Sequence, residues 1–299
     1  MSVSCPICKN KKWELFLKLD EFNILRCKSC GMKRKEFENE LNFNFEDWYN
    51  KDYFLFSEEK REVLKTKWHF PKIELIKKFK KKGKFLDIGC GLGLAVELAL
   101  KEGFDVFATD ISSYAVSFVK EKFKIPCYKG EIENLPFPEN FFDVIYIHHV
   151  LEHVIEPIKF LEKVKKILNK NGIILIAVPN IKSIYFKIYR KKFHILHKEH
   201  LWYFDIFSLK KILNKVNLKL HYYTTMVLPE AQGGWISICT DNITSSKSAK
   251  SSIINFLRKI WRLFPQIFRS KIFKIFHKIF NFIFAKLKIG DDLVIVIKK

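Results

Sequence analysis

From Lys84 onward the sequence predicts an α/β fold, a doubly wound and mostly parallel sheet, and three observations carry that expectation. First, short apolar runs alternate with amphipathic stretches of helical period, at Leu92–Glu102, Ser112–Phe123, Pro157–Leu168 and Ser208–Val216. Second, the apolar run Phe85, Leu86, Ile88 meets glycines at alternate positions, Gly89, Gly91 and Gly93, so a buried strand must turn sharply and leave bare backbone for a ligand. Third, the strand Val106-Phe-Ala-Thr ends in Asp110, about 20 residues on, where an acid accepts hydrogen bonds from ribose hydroxyls. The third glycine of the dinucleotide fingerprint would stand at Leu94, which disfavours NAD.

These motifs, in this order, resemble the class I S-adenosylmethionine-dependent methyltransferases, in the branch that holds small-molecule O- and C-methyltransferases. The likeness runs from about Lys84 to Asn217 and resumes in the last strand. It implies a Rossmann-like sheet of seven strands, with Asp292–Lys298 inserted antiparallel beside Leu218–Leu228. It implies S-adenosylmethionine as cofactor, held by Asp87, Gly89, Cys90, Gly91 and Gly93, then Asp110 and Ile111, then the adenine-contacting turn at Glu131 and Ile132. Cys90 lies in the glycine loop, but nothing nearby marks it as a nucleophile. Phe142–His153 resembles the fourth strand and its turn, and places His148 at the cofactor. Asn171–Asn180 matches the fifth strand. Methyl transfer to a hydroxyl needs in-line positioning and removal of a proton, a task suited to a histidine of near-neutral pKa. His153 in the Leu151-Glu-His turn is the leading base, with His149 the second candidate. The bland reading is that Glu152 and His153 only satisfy backbone groups at that turn.

With 299 residues and 48% hydrophobic content the chain can bury a large core. No window reaches the roughly 18 uncharged apolar residues of a spanning helix, and the N-terminus lacks the apolar core of a signal peptide, so a cytoplasmic protein is expected. The net charge of +22 admits nucleic acid as a partner, although Lys-, Ile-, Phe- and Asn-rich usage also follows from an AT-rich genome.

Cys5-Pro-Ile-Cys8 and Cys27-Lys-Ser-Cys30, 18 residues apart, have the spacing of a structural zinc site with four thiolates, in a ribbon with strands at Trp13–Leu17 and Asn23–Arg26. The organisation expected is a ribbon over 1–35, a connector over 36–82 and the methyltransferase domain over 83–299. The connector carries Trp48, Tyr49, Tyr53, Phe54, Phe56, Trp68 and Phe70, too many rings for a solvated linker. Its helices cap a sheet edge, or Tyr49 and Tyr53 cover the substrate as a lid. His194, His197 and His200 could share a helix face and bind metal, but with Glu199 the lone carboxylate, His200, Trp202 and Tyr203 read better as pocket walls.

From Asn242 to Gly290 there is no acidic residue, and lysines and arginines alternate with Phe, Ile and Trp. A helix over Ile267–Lys288 would be amphipathic and basic. That pattern over 253–289 fits docking on an anionic membrane surface, packing on the protein itself or a second subunit, or RNA contact. The expected function is methyl transfer to a small-molecule or lipid-linked acceptor, a sugar or quinone-like precursor. An RNA methyltransferase and a cofactor-binding protein without turnover are the alternatives.

Overall fold

The computed structural model describes residues 4–36, 49, 54, 61–193, 195–227 and 282–299. Seven strands form the main sheet in the order β10-β11-β8-β7-β4-β5-β6. They are β4 (Lys84–Ile88), β5 (Asp105–Asp110), β6 (Cys127–Lys129), β7 (Phe142–His148), β8 (Leu168–Pro179), β10 (Lys219–Met226) and β11 (Asp292–Lys298). The five strands β4 to β8 pair parallel, and β11 enters antiparallel between β8 and β10. The order runs outward from β4 through β5 and β6 on one side and from β7 through β8 on the other. The reversal between β4 and β7 is a topological switch point, where ligands enter at the carboxyl ends of strands.

The central strands are buried on both faces, which explains their unbroken apolar runs: Val144 to Ile147 and Ile174 to Val178 are all fully buried. Helices α3 (Leu94–Lys101), α4 (Ser113–Phe123), α5 (Pro157–Ile167) and α7 (Ile206–Lys215) cover the sheet. Ser112 caps α4 by accepting from the Ala115 amide. The last of these helices begins two residues before the expected Ser208, because Asp205 and Ser208 form a reciprocal capping box.

The connector contributes α1 (Arg61–Leu64), a π-helical turn over Lys65–His69, and α2 (Phe70–Lys77). Arg61 and Lys65 both reach Glu97 of α3, at 2.9 and 2.8 Å, and fasten the connector to the sheet's flank. It caps the fold and also roofs the site, since Tyr49, Phe54, Leu64, Trp68 and His69 line the main cavity. Tyr53, Trp48, Phe56 and His194 lie outside the described residues, as does 228–281, which holds most of the basic insertion. Of the expected helix Ile267–Lys288 only 282–288 is described, and 282–287 is helical.

A second sheet, β1-β2-β3-β9, is built from β1 (Trp13–Lys18), β2 (Asn23–Cys27), β3 (Lys33–Lys35) and β9 (Trp202–Tyr203). Here the expectation for Trp202 and Tyr203 is corrected: they pair with Arg34 and Lys33 and do not line the main cavity. An edge strand with open amides and carbonyls needs a partner, and β9 supplies it. Lys33 is buried at this junction and bonds Asp205 at 3.1 Å, with both side chains under 8% exposed. We expect Asp205→Ala to lower stability by about 3–5 kcal/mol, because it strands a buried ammonium and uncaps a helix. Urea denaturation measures this, and a loss below about 1 kcal/mol would show that the junction carries little.

Candidate active site

A cavity of about 970 Å³ opens at the carboxyl ends of β4, β5, β7 and β8. Of the residues expected from sequence, Asp87, Gly89, Cys90, Gly91, Asp110, Ile111, Glu131, Ile132, His148, His149 and His153 all line it. Gly93, the third glycine of the turn, is not among the lining residues. It starts α3 in the left-handed region, and a Cβ there would lie 2.6 Å from the Phe123 ring, so its role is to let the helix pack. Gly89 is likewise left-handed, and a Cβ on it would meet Val150 at 2.4 Å.

The glycine turn is pinned to β5. Gly89 and Cys90 donate their amides to the Thr109 carbonyl at 2.8 and 3.0 Å. Asp110 accepts from the Gly91 amide at 2.8 Å and from the Ser112 amide at 2.9 Å. Asp110 also lines the cavity, and a carboxylate has about four acceptor sites, so these bonds do not exhaust it. Asp87 is 2% exposed, and burial, then the nearby charge of Asp110, pushes its carboxyl up to about 8. A cationic ligand in the cavity would reverse that by favouring the ionised form.

At the end of β7 a stack of rings forms: His148 and His149 lie 4.3 Å apart and nearly parallel, with Trp68 within 5.8 Å of both. His69 meets the buried Tyr146 hydroxyl at 2.9 Å. Burial draws His148 well below the usual histidine range and His69 down to about 3, so both are neutral near pH 7. The Nε2 of His148 is buried without a hydrogen-bond partner among the described residues. His149 differs. Its φ of +53° is a left-handed, strained conformation for a histidine, and its amide is anchored to the Ala177 carbonyl. Its Nε2 lies 3.3 Å from Asp292, which is fully buried and also bonds Lys72 at 2.6 Å. Burial is the largest single influence on His149 and would depress it, but the hydrogen bond to Asp292 and the nearby charges of Glu152 and Asp292 together outweigh it and raise the pKa. The same network draws Asp292 down to about 2 against its burial.

His153 follows on the 3₁₀ turn Leu151–His153. Its Nδ1 meets the Glu199 carbonyl at 3.1 Å and lies 3.4 Å from the Tyr49 hydroxyl, so Tyr49 lines the cavity beside His153. Burial draws His153 down to about 3. Glu152 is fully buried, and neither carboxylate oxygen has a side-chain hydrogen-bond partner among the described residues. Burial pushes it up to about 7. His197 and His200 line the cavity from an irregular segment and share no helix face, which corrects that expectation. Trp68, His69, Lys72 and Asp292 were not singled out as site residues from sequence. An acid opening an apolar strand carries no local mark, and its histidine partner lies 143 positions away.

The four ribbon cysteines carry no disulfide; the Sγ atoms of Cys5 and Cys30 are 3.4 Å apart and those of Cys8 and Cys27 3.5 Å. All four lie within 4.8 Å of one another. A tetrahedral zinc with bonds of about 2.3 Å puts its sulfurs about 3.8 Å apart, so the donor set fits that ion.

Residues 59–223 match the family described as "Methyltransferase domain". An uncharacterized protein of Methanocaldococcus jannaschii is 34% identical over 124 residues, 42% of this chain and 54% of that protein, so the chain spans about half the length of this relative. The ubiquinone biosynthesis O-methyltransferase of Rickettsia typhi is 25% identical over 222 residues, 73% of this chain and 82% of that enzyme. In fold, a SAM dependent methyltransferase from Archaeoglobus fulgidus superposes with a TM-score of 0.53 at 23% identity, over 83% of this chain and 99% of that one. The family match covers more than half of the 299 residues and contains the whole glycine turn and both strand-end acids. On that match the chain belongs to the methyltransferase domain family.

Proposed function

We propose that the protein methylates an oxygen of a small-molecule or lipid-linked acceptor, a sugar or quinone-like precursor, with His149 as general base. The observation that carries this reading is the Lys72–Asp292–His149 relay at the cavity wall. Asp292 fixes the ring through Nε2 and leaves Nδ1 to take a proton. His153 is the weaker base, since its ring is held by a neutral carbonyl where His149 has a carboxylate, and burial disfavours its charged form. Asp87, the Gly89–Gly91 backbone and Asp110 would hold S-adenosylmethionine, with Ile111, Glu131 and Ile132 beside its nucleoside and His148 towards its reacting end. When bound, the cofactor supplies an electrophilic methyl group. Trp68, Tyr49 and Phe54 exclude water above it. The name of the Rickettsia typhi relative supports a small-molecule acceptor.

In the same proposal Cys5, Cys8, Cys27 and Cys30 hold a structural zinc whose four sulfurs leave no open position for catalysis. The segment 253–289 would dock on an anionic membrane surface that presents a lipid-linked acceptor. Among the described residues no helix is long and apolar enough to cross a membrane.

The test is mass spectrometry after incubating the protein, methyl-labelled cofactor and a cell extract split into lipid, small-molecule and RNA fractions. Label is expected in the lipid or small-molecule fraction. Label in RNA alone would replace the acceptor class. Cofactor binding with no label in any fraction would mark a protein without turnover.

A further inference from the structure

A second cleft, of about 530 Å³, lies between the small sheet and the methyltransferase body. Five cations line it: Arg26 from β2, Lys33 from β3, and Lys182, Lys187 and Arg190 from the segment after β8. Two carboxylates answer them. Asp205 lies 3.1 Å from Lys33 and 3.8 Å from Lys182, and Glu14 pairs with Arg26 at 2.6 Å. Lys187 and Arg190 are exposed and have no carboxylate partner among the described residues. Among the described residues, three of the five charges are therefore uncompensated within a concave wall. Cys30 also lines the cleft, beside Gly31 and Lys33, and a zinc-bound thiolate there would add negative charge on that wall.

The backbone supports this arrangement. Arg190 holds φ +49°, a strained value for arginine, at the end of α6 (Ile184–Tyr189), where Arg190, Lys191 and Lys192 form an exposed 3₁₀ turn. Aromatic faces adjoin the cations. Phe16 stacks on Phe186 at 6.0 Å, and Phe207, 59% exposed, lies under the Lys182 ammonium at 4.4 Å. Concentrated, unpaired cations with arginine among them match the oxygens of phosphate esters, and an exposed ring offers a face to the group the phosphate carries. The cleft also adjoins the cavity along the chain: Pro179 lines the cavity, and Ile181 and Lys182 line the cleft.

We propose that this cleft binds the phosphate or diphosphate group of a phosphorylated acceptor, through Lys182, Lys187 and Arg190. The ribbon then serves as one wall of an anion site. Only the identity of the molecule bearing the phosphate rests on the acceptor reading above, and binding is measured without turnover, so the two can fail separately.

The experiment titrates the full chain with inorganic pyrophosphate, uridine diphosphate and farnesyl diphosphate by calorimetry. It compares the parent with Lys187→Glu/Arg190→Glu and with Lys166→Glu/Lys219→Glu, which makes the same charge change on exposed residues outside the cleft. Saturable binding of pyrophosphate to the parent is expected, weakened at least tenfold by the cleft pair and less than threefold by the control pair. S-adenosylmethionine affinity and melting temperature should stay at the parent's values in both. Tighter binding of uridine diphosphate would identify a nucleotide-linked source, and tighter binding of farnesyl diphosphate an isoprenoid one. Equal loss in the two double variants would reduce the effect to overall charge and overturn the site, as would a parent that binds no pyrophosphate.

Discussion

Substituting Ala for His149 is expected to lower kcat by about 10²–10⁴-fold while leaving S-adenosylmethionine affinity nearly unchanged, because proton removal contributes about that much and the ring is not needed to hold the nucleoside. The pH profile sharpens the test. A general base acts in its neutral form, and the Asp292 hydrogen bond raises the His149 pKa against its burial. The rising limb of kcat should therefore lie above the ordinary histidine value of about 6.5. The linked stability has the opposite sense: the stabilisation is fully present below that value and is lost as pH rises through the folded pKa. Removing the Asp292 charge should move the limb to lower pH. Because Asp292→Asn alone strands Lys72, which is 1% exposed, the double variant Lys72→Met/Asp292→Asn is measured beside it. A limb unmoved in the double variant, with full activity in His149→Ala, would return the role to His153 or to a carbon acceptor with another base.

Withdrawal of zinc is expected to have the largest effect on stability. Structural zinc sites contribute apparent binding energies of about 10–16 kcal/mol in finger peptides, and that energy is folding energy. Here the knuckles hold β2 and β3 in register, with the Gly31 amide on the Cys27 carbonyl at 2.9 Å and the Cys27 amide on the Met32 carbonyl at 2.8 Å. The purified chain should carry one zinc, with X-ray absorption showing four sulfurs at about 2.3 Å. Chelation should open residues 4–36 to protease and strip β9 of its partner strand. A metal-free protein whose melting curve is unaltered by chelator would remove the zinc assignment.

The parallel core was legible because its central strands are buried on both faces, β4 runs into Gly89 and β5 ends at Asp110, so the signal is local. Asp87, Gly89, Asp110, Glu131 and His148 could be placed on the cavity for the same reason. What escaped depends on contacts between distant segments. Arg34 and Trp202, far apart in the chain, pair across the small sheet, and Trp202 then donates its indole to the Val154 carbonyl at 2.7 Å and does not line the cavity. Lys72 reads as one of many lysines on a connector helix, yet it is buried against Asp292. Gly93 shares the spacing of its neighbours, but the bulk behind it, Phe123, decides its role. The proposed preference for His149 over His153 rests on what each ring nitrogen meets, which sequence does not display.

The cavity's identity as the cofactor site is the claim on which the rest depends, and calorimetry of the parent and Asp110→Ala with S-adenosylmethionine and NAD tests it most directly. The account predicts that the parent binds S-adenosylmethionine and prefers it to NAD. It also predicts that the variant loses about 1.5–3 kcal/mol, the worth of a hydrogen bond to a charged group. Unchanged affinity in Asp110→Ala, or tighter binding of NAD by the parent, would contradict it.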